Sequence, residues 1–226
     1  MRSIQAVLFD MDGTVFDSER VYREGFRLAA KEMGLPPSVV DHHPVLCGLP
    51  RDESRRYMKG VFGEDFPYDD WRERMWQYAA EVFEENGPPR KDGVPEILIE
   101  LREMGIRTAI ATATRLPVAT QYLQKSGLAP YFDTVVTGDR VRNGKPAPDI
   151  FLLAAEELGV SPSLCAVAED SRNGILAAHR AGCYPILVPD LYPPAEEILP
   201  LLWHRVEDLW QIPQCIREHN RPQEQP

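Results

Sequence analysis

Short, continuously apolar runs alternate with stretches of helical periodicity along most of this chain. Ala6-Val7-Leu8-Phe9, Thr108-Ala109-Ile110-Ala111 and Cys165-Ala166-Val167-Ala168 have the length and composition of strands covered on both faces. With Thr134–Thr137 and Pro185–Val188 they give five predicted strands, the second running from Arg107 to Thr112. Between them, apolar residues at helical spacing predict helices over about 93–104, 116–126, 147–158 and 172–181. Strand and helix in alternation predict an α/β fold with a Rossmann-like, doubly wound parallel sheet. Ligands in such sheets bind outside the carboxyl ends of the strands.

One stretch breaks the alternation. From 18 to 86 no strand pattern occurs, and a first helix followed by two or three more helical segments is predicted. The first starts at Glu19 behind a cap at Asp17 or Ser18 and carries Val21, Tyr22, Gly25, Phe26, Leu28, Ala29 and Met33. The others span about 51–62 and 67–86. Their buried faces are expected to include Tyr57, Met58, Val61, Trp71, Met75, Trp76, Tyr78, Ala79, Val82 and Phe83. Asn86-Gly87-Pro88-Pro89 is a strong breaker. The expected organisation is an α/β core of residues 1–17 and 87–226, with an all-helical cap, 18–86, inserted after the first strand over the carboxyl end of the sheet. Residues 13–18 and 86–93 would hinge it. His42-His43 is expected in a solvated loop, Trp203 and Trp210 against a terminal segment, and the polar His219–Pro226 frayed.

The net charge of −10 provides no basic footprint for nucleic acid or an anionic membrane. No apolar stretch approaches the roughly 20 residues of a membrane span. Cys47, Cys165, Cys183 and Cys215 lie far apart without a zinc-ligand spacing, which favours reduced thiols. The strand beginning within a few residues of Met1 leaves no room for a signal peptide, so a cytoplasmic protein is expected.

The candidate chemistry sits at predicted strand ends. Asp10-Met11-Asp12-Gly13-Thr14 follows the first strand. One carboxylate can face a metal and an electrophile, the neighbouring carbonyl of Asp12 can turn to the same metal, and the second side chain stays free for proton transfer. Alone, the motif equally suits a solvated Asp-Gly turn. Thr112 with the N–H of Ala113 makes a two-point grip for a phosphoryl oxygen, or caps the next helix. Lys145, in Gly144-Lys145-Pro146-Ala147-Pro148-Asp149, can neutralise a phosphoryl group and a carboxylate together, or lie solvated. Glu169-Asp170 can hold Mg²⁺, which prefers oxygen ligands, or cap the helix that follows.

In this order and spacing, the four motifs resemble those of the haloacid dehalogenase-like hydrolase superfamily, over about residues 4–190. The insert resembles the helical cap of the subfamily with β-phosphoglucomutase, sugar-phosphate phosphatases and pseudouridine-monophosphate phosphatase. The resemblance implies a Mg²⁺-dependent phosphatase acting on a small phosphorylated metabolite, a sugar phosphate or nucleotide monophosphate. Asp10 would be the nucleophile, forming an aspartyl phosphate, and Asp12 the general acid and base. Asp10, the Asp12 carbonyl and Asp170 would hold Mg²⁺, with Glu169 as a ligand or as the support of a bound water. Thr112, Ala113 and Lys145 would bind the phosphoryl group.

By the same resemblance, Gly48–Arg51 is the cap loop that reads the substrate, and Arg74 lies near a basic residue used by sugar-phosphate members. Tyr22 stands where β-phosphoglucomutases carry a histidine, which favours hydrolysis over the alternative, a phosphomutase. A dehalogenase would need neither Asp12 nor Asp170, and a non-catalytic module would be expected to lose a core carboxylate. A monomer is expected.

Overall fold

In a computed structural model of the protein, residues 3–47 and 49–221 are described. They divide into two compact units, Met1–Asp17 with Pro89–Pro226, and Ser18–Pro88.

The first unit is built on a six-stranded sheet of β1 (Ala6–Phe9), β2 (Arg107–Thr112), β3 (Thr134–Thr137), β4 (Cys165–Glu169), β5 (Tyr184–Leu187) and β6 (His204–Arg205). Its order is β3-β2-β1-β4-β5-β6 and every pairing is parallel. The apolar runs are central: β1 and β4 are buried at every position. Register then sets the site. Phe9 pairs with Ile110 on one side and Ala168 on the other, and the Asp10 N–H donates to the Ala168 carbonyl at 2.9 Å. Asp10, Ala111 and Glu169 are therefore level on adjacent strands, about 4.8 Å apart in the pairing direction.

In this unit α5 (Val94–Glu103), α6 (Leu116–Lys125), α7 (Asp149–Leu158) and α8 (Arg172–Arg180) alternate with the strands. One apolar cluster joins β1, β2 and β4 to α7 through Leu8, Ala109, Val167, Phe151, Ala154 and Leu158.

Two elements exceed the sequence expectation, the two-residue β6 and α9 (Ile212–Asn220). Only Ile212, Pro213 and Ile216 of α9 are buried, too few to mark a helix by periodicity. The expected fraying does not hold at His219 and Asn220. Asn220 exchanges two hydrogen bonds with the Ile4 backbone, at 2.7 and 2.9 Å, and His219 packs edge-on against Tyr184 and Trp203. Residues 222–226 lie outside those described. Trp210 lies directly over Gly93, whose φ of +77° and lack of a Cβ admit the indole.

The second unit contains α1 (Ser18–Glu32), the one-turn α2 (His43–Leu46), α3 (Arg51–Phe62) and α4 (Tyr68–Asn86). Helices α1 and α4 pack so closely that a Cβ on Gly25 would lie 2.9 Å from the Met75 carbonyl oxygen. Trp71 is fully buried and its indole N–H donates to the Phe26 carbonyl at 3.1 Å. Tyr68, Trp71, Met75, Ala79 and Phe83 form the buried row of α4.

Three residues expected on buried faces are exposed instead: Trp76 at 39%, Val61 at 47% and Val82 at 45%. Trp76, edge-on to Tyr22 of α1, and Val82 flank that buried row of α4 and keep much of their surface exposed. His42-His43 is likewise not a solvated loop. A 3-10 turn, Pro37–His42, runs into α2, and His43 is buried.

Candidate active site

Asp10 leaves the end of β1 into a buried setting, 7% exposed, beside Lys145 and Glu169. Lys145 donates to Asp10 Oδ1 and, at 2.8 Å, to Glu169 Oε1. Its ammonium also lies 5.0 Å from the centre of the Phe151 ring. The lysine predicted to be either catalytic or solvated is thus buried between two carboxylates. Burial disfavours its charge, but Asp10 and Glu169 outweigh that and hold the ammonium protonated well above the ordinary lysine range. Burial pushes the Asp10 carboxyl up to about 8, with Lys145 opposing and Glu169 and Asp12 adding repulsion.

Glu169 is 1% exposed and uses both oxygens, Oε1 on Lys145 and Oε2 on the Ser171 N–H at 2.7 Å. Gly174 leaves the room it needs, since a Cβ there would fall 1.6 Å from Glu169 Oε1. The helix-capping role open to Glu169-Asp170 belongs to Ser171, whose hydroxyl accepts from the Gly174 N–H at 3.0 Å. Asp170 is turned instead toward the first loop. Its Oδ1 accepts from the buried Thr14 hydroxyl at 3.3 Å, and its carboxylate lies where a Gly13 Cβ would go, 2.4 Å from Oδ2. Gly13, at φ +84°, is thus required twice, for its conformation and for this approach.

Thr112 ends β2 fully buried, and its hydroxyl oxygen accepts from the Thr114 N–H at 3.0 Å. Thr114 was not singled out by the sequence, yet its hydroxyl donates to Asp12 Oδ2 at 2.7 Å. The available signal was a second hydroxyl two residues beyond Thr112. A cavity of about 320 Å³ adjoins these groups, lined by Ala113, Arg115, Gly138, Asp139, Gly144 and Lys145. Arg115, also missed, brings a cation to it.

Asp10, Asp12, Glu169 and Asp170 set four carboxyl groups against the single ammonium of Lys145. An oxygen-only donor set short of positive charge fits Mg²⁺, with Asp10, the Asp12 carbonyl and Asp170 as the residues to hold it.

The residues expected to read substrate lie in the helical unit. Arg51 is exposed and pairs with Asp69 at 2.8 Å, Arg74 is exposed and pairs with Glu32 at 3.1 Å, and the Tyr22 ring packs edge-on against Trp76 and Phe83. Gly48 lies outside the described residues.

The family described as haloacid dehalogenase-like hydrolase matches residues 4–182, and the chain belongs to it. It is an enzyme of the hydrolase class. It is 36% identical over 179 residues to the phosphorylated carbohydrates phosphatase of Thermotoga maritima, covering 79% of this chain and 82% of that protein. It is 34% identical over 185 residues to hexitol phosphatase A of Escherichia coli, covering 80% and 81%. Among solved structures, a putative β-phosphoglucomutase from Thermotoga maritima superposes with a TM-score of 0.77 at 32% identity, covering 95% of this chain and 99% of that one. No helix among the described residues is long and apolar enough to cross a membrane.

Proposed function

We propose that the protein is a phosphoric monoester hydrolase, a Mg²⁺-dependent phosphatase of small phosphorylated metabolites, acting through an aspartyl phosphate. The observation that carries this is Lys145 buried between Asp10 and Glu169 at the ends of adjacent strands, with Asp12 held by Thr114. The two phosphatases to which the chain is similar act, by their names, on phosphorylated carbohydrates and hexitol phosphates, which makes sugar phosphates the preferred substrate class.

In this reading an Asp10 oxygen attacks phosphorus, the bond to the leaving alkoxide breaks, and Asp12 gives that alkoxide its proton. Asp12 then takes a proton from water, whose oxygen attacks phosphorus and releases inorganic phosphate, regenerating Asp10. Thr112, the Ala113 N–H and Lys145 hold the phosphoryl oxygens throughout, the electrostatic part of the barrier reduction. When bound, Mg²⁺ supplies positive charge between the nucleophile and the phosphoryl group. Glu169, which accepts from Lys145 and from the Ser171 N–H, anchors the lysine. A substrate-reading part for Arg51, Arg74 and Tyr22 belongs to this proposal on sequence grounds alone.

A phosphate-release screen over sugar phosphates, nucleotides and phosphorylated acids tests the proposal, with and without chelator. Phosphate should appear only with Mg²⁺ and without any sugar bisphosphate. Full activity in excess chelator would overturn the metal assignment. Faster conversion of β-glucose 1-phosphate to glucose 6-phosphate than phosphate release would replace the phosphatase with a mutase.

A further inference from the structure

The helical unit brings together an imidazole, a thiol and a carboxylate that the phosphatase reading does not use. Glu19 lies in the first turn of α1, His43 opens α2, and Cys47 follows α2. The Cys47 N–H donates to the His43 carbonyl at 3.0 Å, so the two side chains share the face of one helical turn at i, i+4. Cys47 Sγ is 3.2 Å from Glu19 Oε2 and 3.4 Å from His43 Nδ1, and His43 Nε2 is 3.8 Å from Glu19 Oε2. One ligand atom from each residue lies within 4.8 Å of the others.

The adjacent histidines are separated by their surroundings. His42 turns to the Tyr57 hydroxyl at 2.8 Å and the Phe62 ring, whereas His43 is buried with the Phe26 ring edge-on behind it. A ring held by packing on one side and facing a thiol and a carboxylate on the other is oriented for a ligand. A tetrahedral zinc ion separates sulfur, nitrogen and oxygen ligands by about 3.4–3.6 Å, given its bond lengths. Through His43 Nδ1, the Cys47 Sγ separations of 3.2 Å to Glu19 Oε2 and 3.4 Å to the ring lie close to that span, and one ligand atom from each residue stays within 4.8 Å of the others.

We propose that Glu19, His43 and Cys47 form a second metal site, for a thiophilic divalent cation of the zinc type. The carboxylate and thiolate charges balance the ion, and Arg23, whose charge acts on His43, sets a limit on affinity by opposing it. Binding replaces the thiol proton that now points to Glu19. The S–H bond breaks, a thiolate–metal bond forms, and the proton leaves to water. The fourth position of the tetrahedron falls to solvent. This donor set differs in kind from the oxygen-only set at Asp10, so the two sites select different ions: thiolate and imidazole favour zinc and its neighbours, carboxylate and carbonyl favour Mg²⁺.

Cobalt(II) titration of the metal-stripped full chain tests this without reference to turnover. One equivalent should produce the thiolate-to-cobalt charge-transfer band, which an oxygen-only site cannot give. Zinc should abolish the band, and excess Mg²⁺ should not. Cys47→Ser should remove it and weaken zinc binding beyond the roughly 10–100-fold cost of losing an outer-shell partner. Glu19→Gln should weaken binding and keep the band. Cys215→Ser, which alters a half-buried thiol elsewhere, should change neither. Absence of the band in the native chain, or its survival in Cys47→Ser, would overturn the proposal.

Discussion

Thr114 donates its hydroxyl to the Asp12 carboxylate at 2.7 Å, tying the segment after β2 to the loop after β1. The bond fixes one oxygen of the group proposed to carry the proton. Hydrogen bonds to charged groups contribute about 1.5–3 kcal/mol, so Thr114→Val should lower kcat roughly 10–100-fold with KM little changed. It should also displace the pH–rate profile, and Thr114→Ser should restore both. An unchanged kcat in Thr114→Val would show that Asp12 needs no such orientation.

Asp12→Asn keeps the backbone carbonyl proposed for Mg²⁺ and removes the proton carrier. Turnover should fall by about 10²–10⁴ while Mg²⁺ affinity, measured by calorimetry, survives.

Asp10→Asn should abolish phosphate release and leave cooperative unfolding intact. The side chain lies beyond the last residue of β1 and Lys145 retains Glu169 as a partner. Near-native turnover in this variant would exclude the covalent route.

Two glycines predict opposite signs of stability change. Gly174→Ala drives a Cβ into the Glu169 carboxylate that anchors Lys145 and should destabilise by about 1–3 kcal/mol or more. At Gly60, inside α3, a Cβ would meet nothing within 4 Å, and Gly60→Ala should stabilise by roughly 0.5–1 kcal/mol. Denaturant midpoints decide both.

Alkaline stability follows from two buried thiols. Burial raises Cys165 to about 12, and burial with the neighbouring Cys165 raises Cys183 to about 12, against an ordinary 9.0. Between pH 9 and 12 the unfolded chain releases these protons and the folded chain keeps them. Stability present below pH 9 is therefore lost as pH rises, by at most about 1.4 kcal/mol per pH unit per thiol. Cys183→Ala should flatten the slope of unfolding free energy against pH in that window.

The chemistry at the strand ends was legible because a parallel sheet places successive carboxyl ends on one edge. Asp10, Thr112 and Glu169 each follow a buried apolar run, and the pairing of Phe9 with Ile110 and Ala168 brings Asp10 level with Glu169 and with Ala111, one residue before Thr112. Local periodicity and breakers likewise determined β1 to β5 and the helices between them. What periodicity could not carry was partner choice. Nothing near Lys145 in the chain says that it lies between Asp10 and Glu169, 135 and 24 residues away. Thr114 and Asp12 meet across 102 residues, and Ser171 rather than Asp170 caps α8. Trp76 and Val82 are as apolar as Trp71 and Ala79, and only the packing of α4 leaves them at the edge of its buried row. The same long-range packing separates His43 from His42 and sets it beside Glu19 and Cys47. Local sequence fixes which way a backbone runs, because propensity and hydrogen bonding act over a few residues. Which side chains meet is decided by how the elements pack, and that depends on the whole fold.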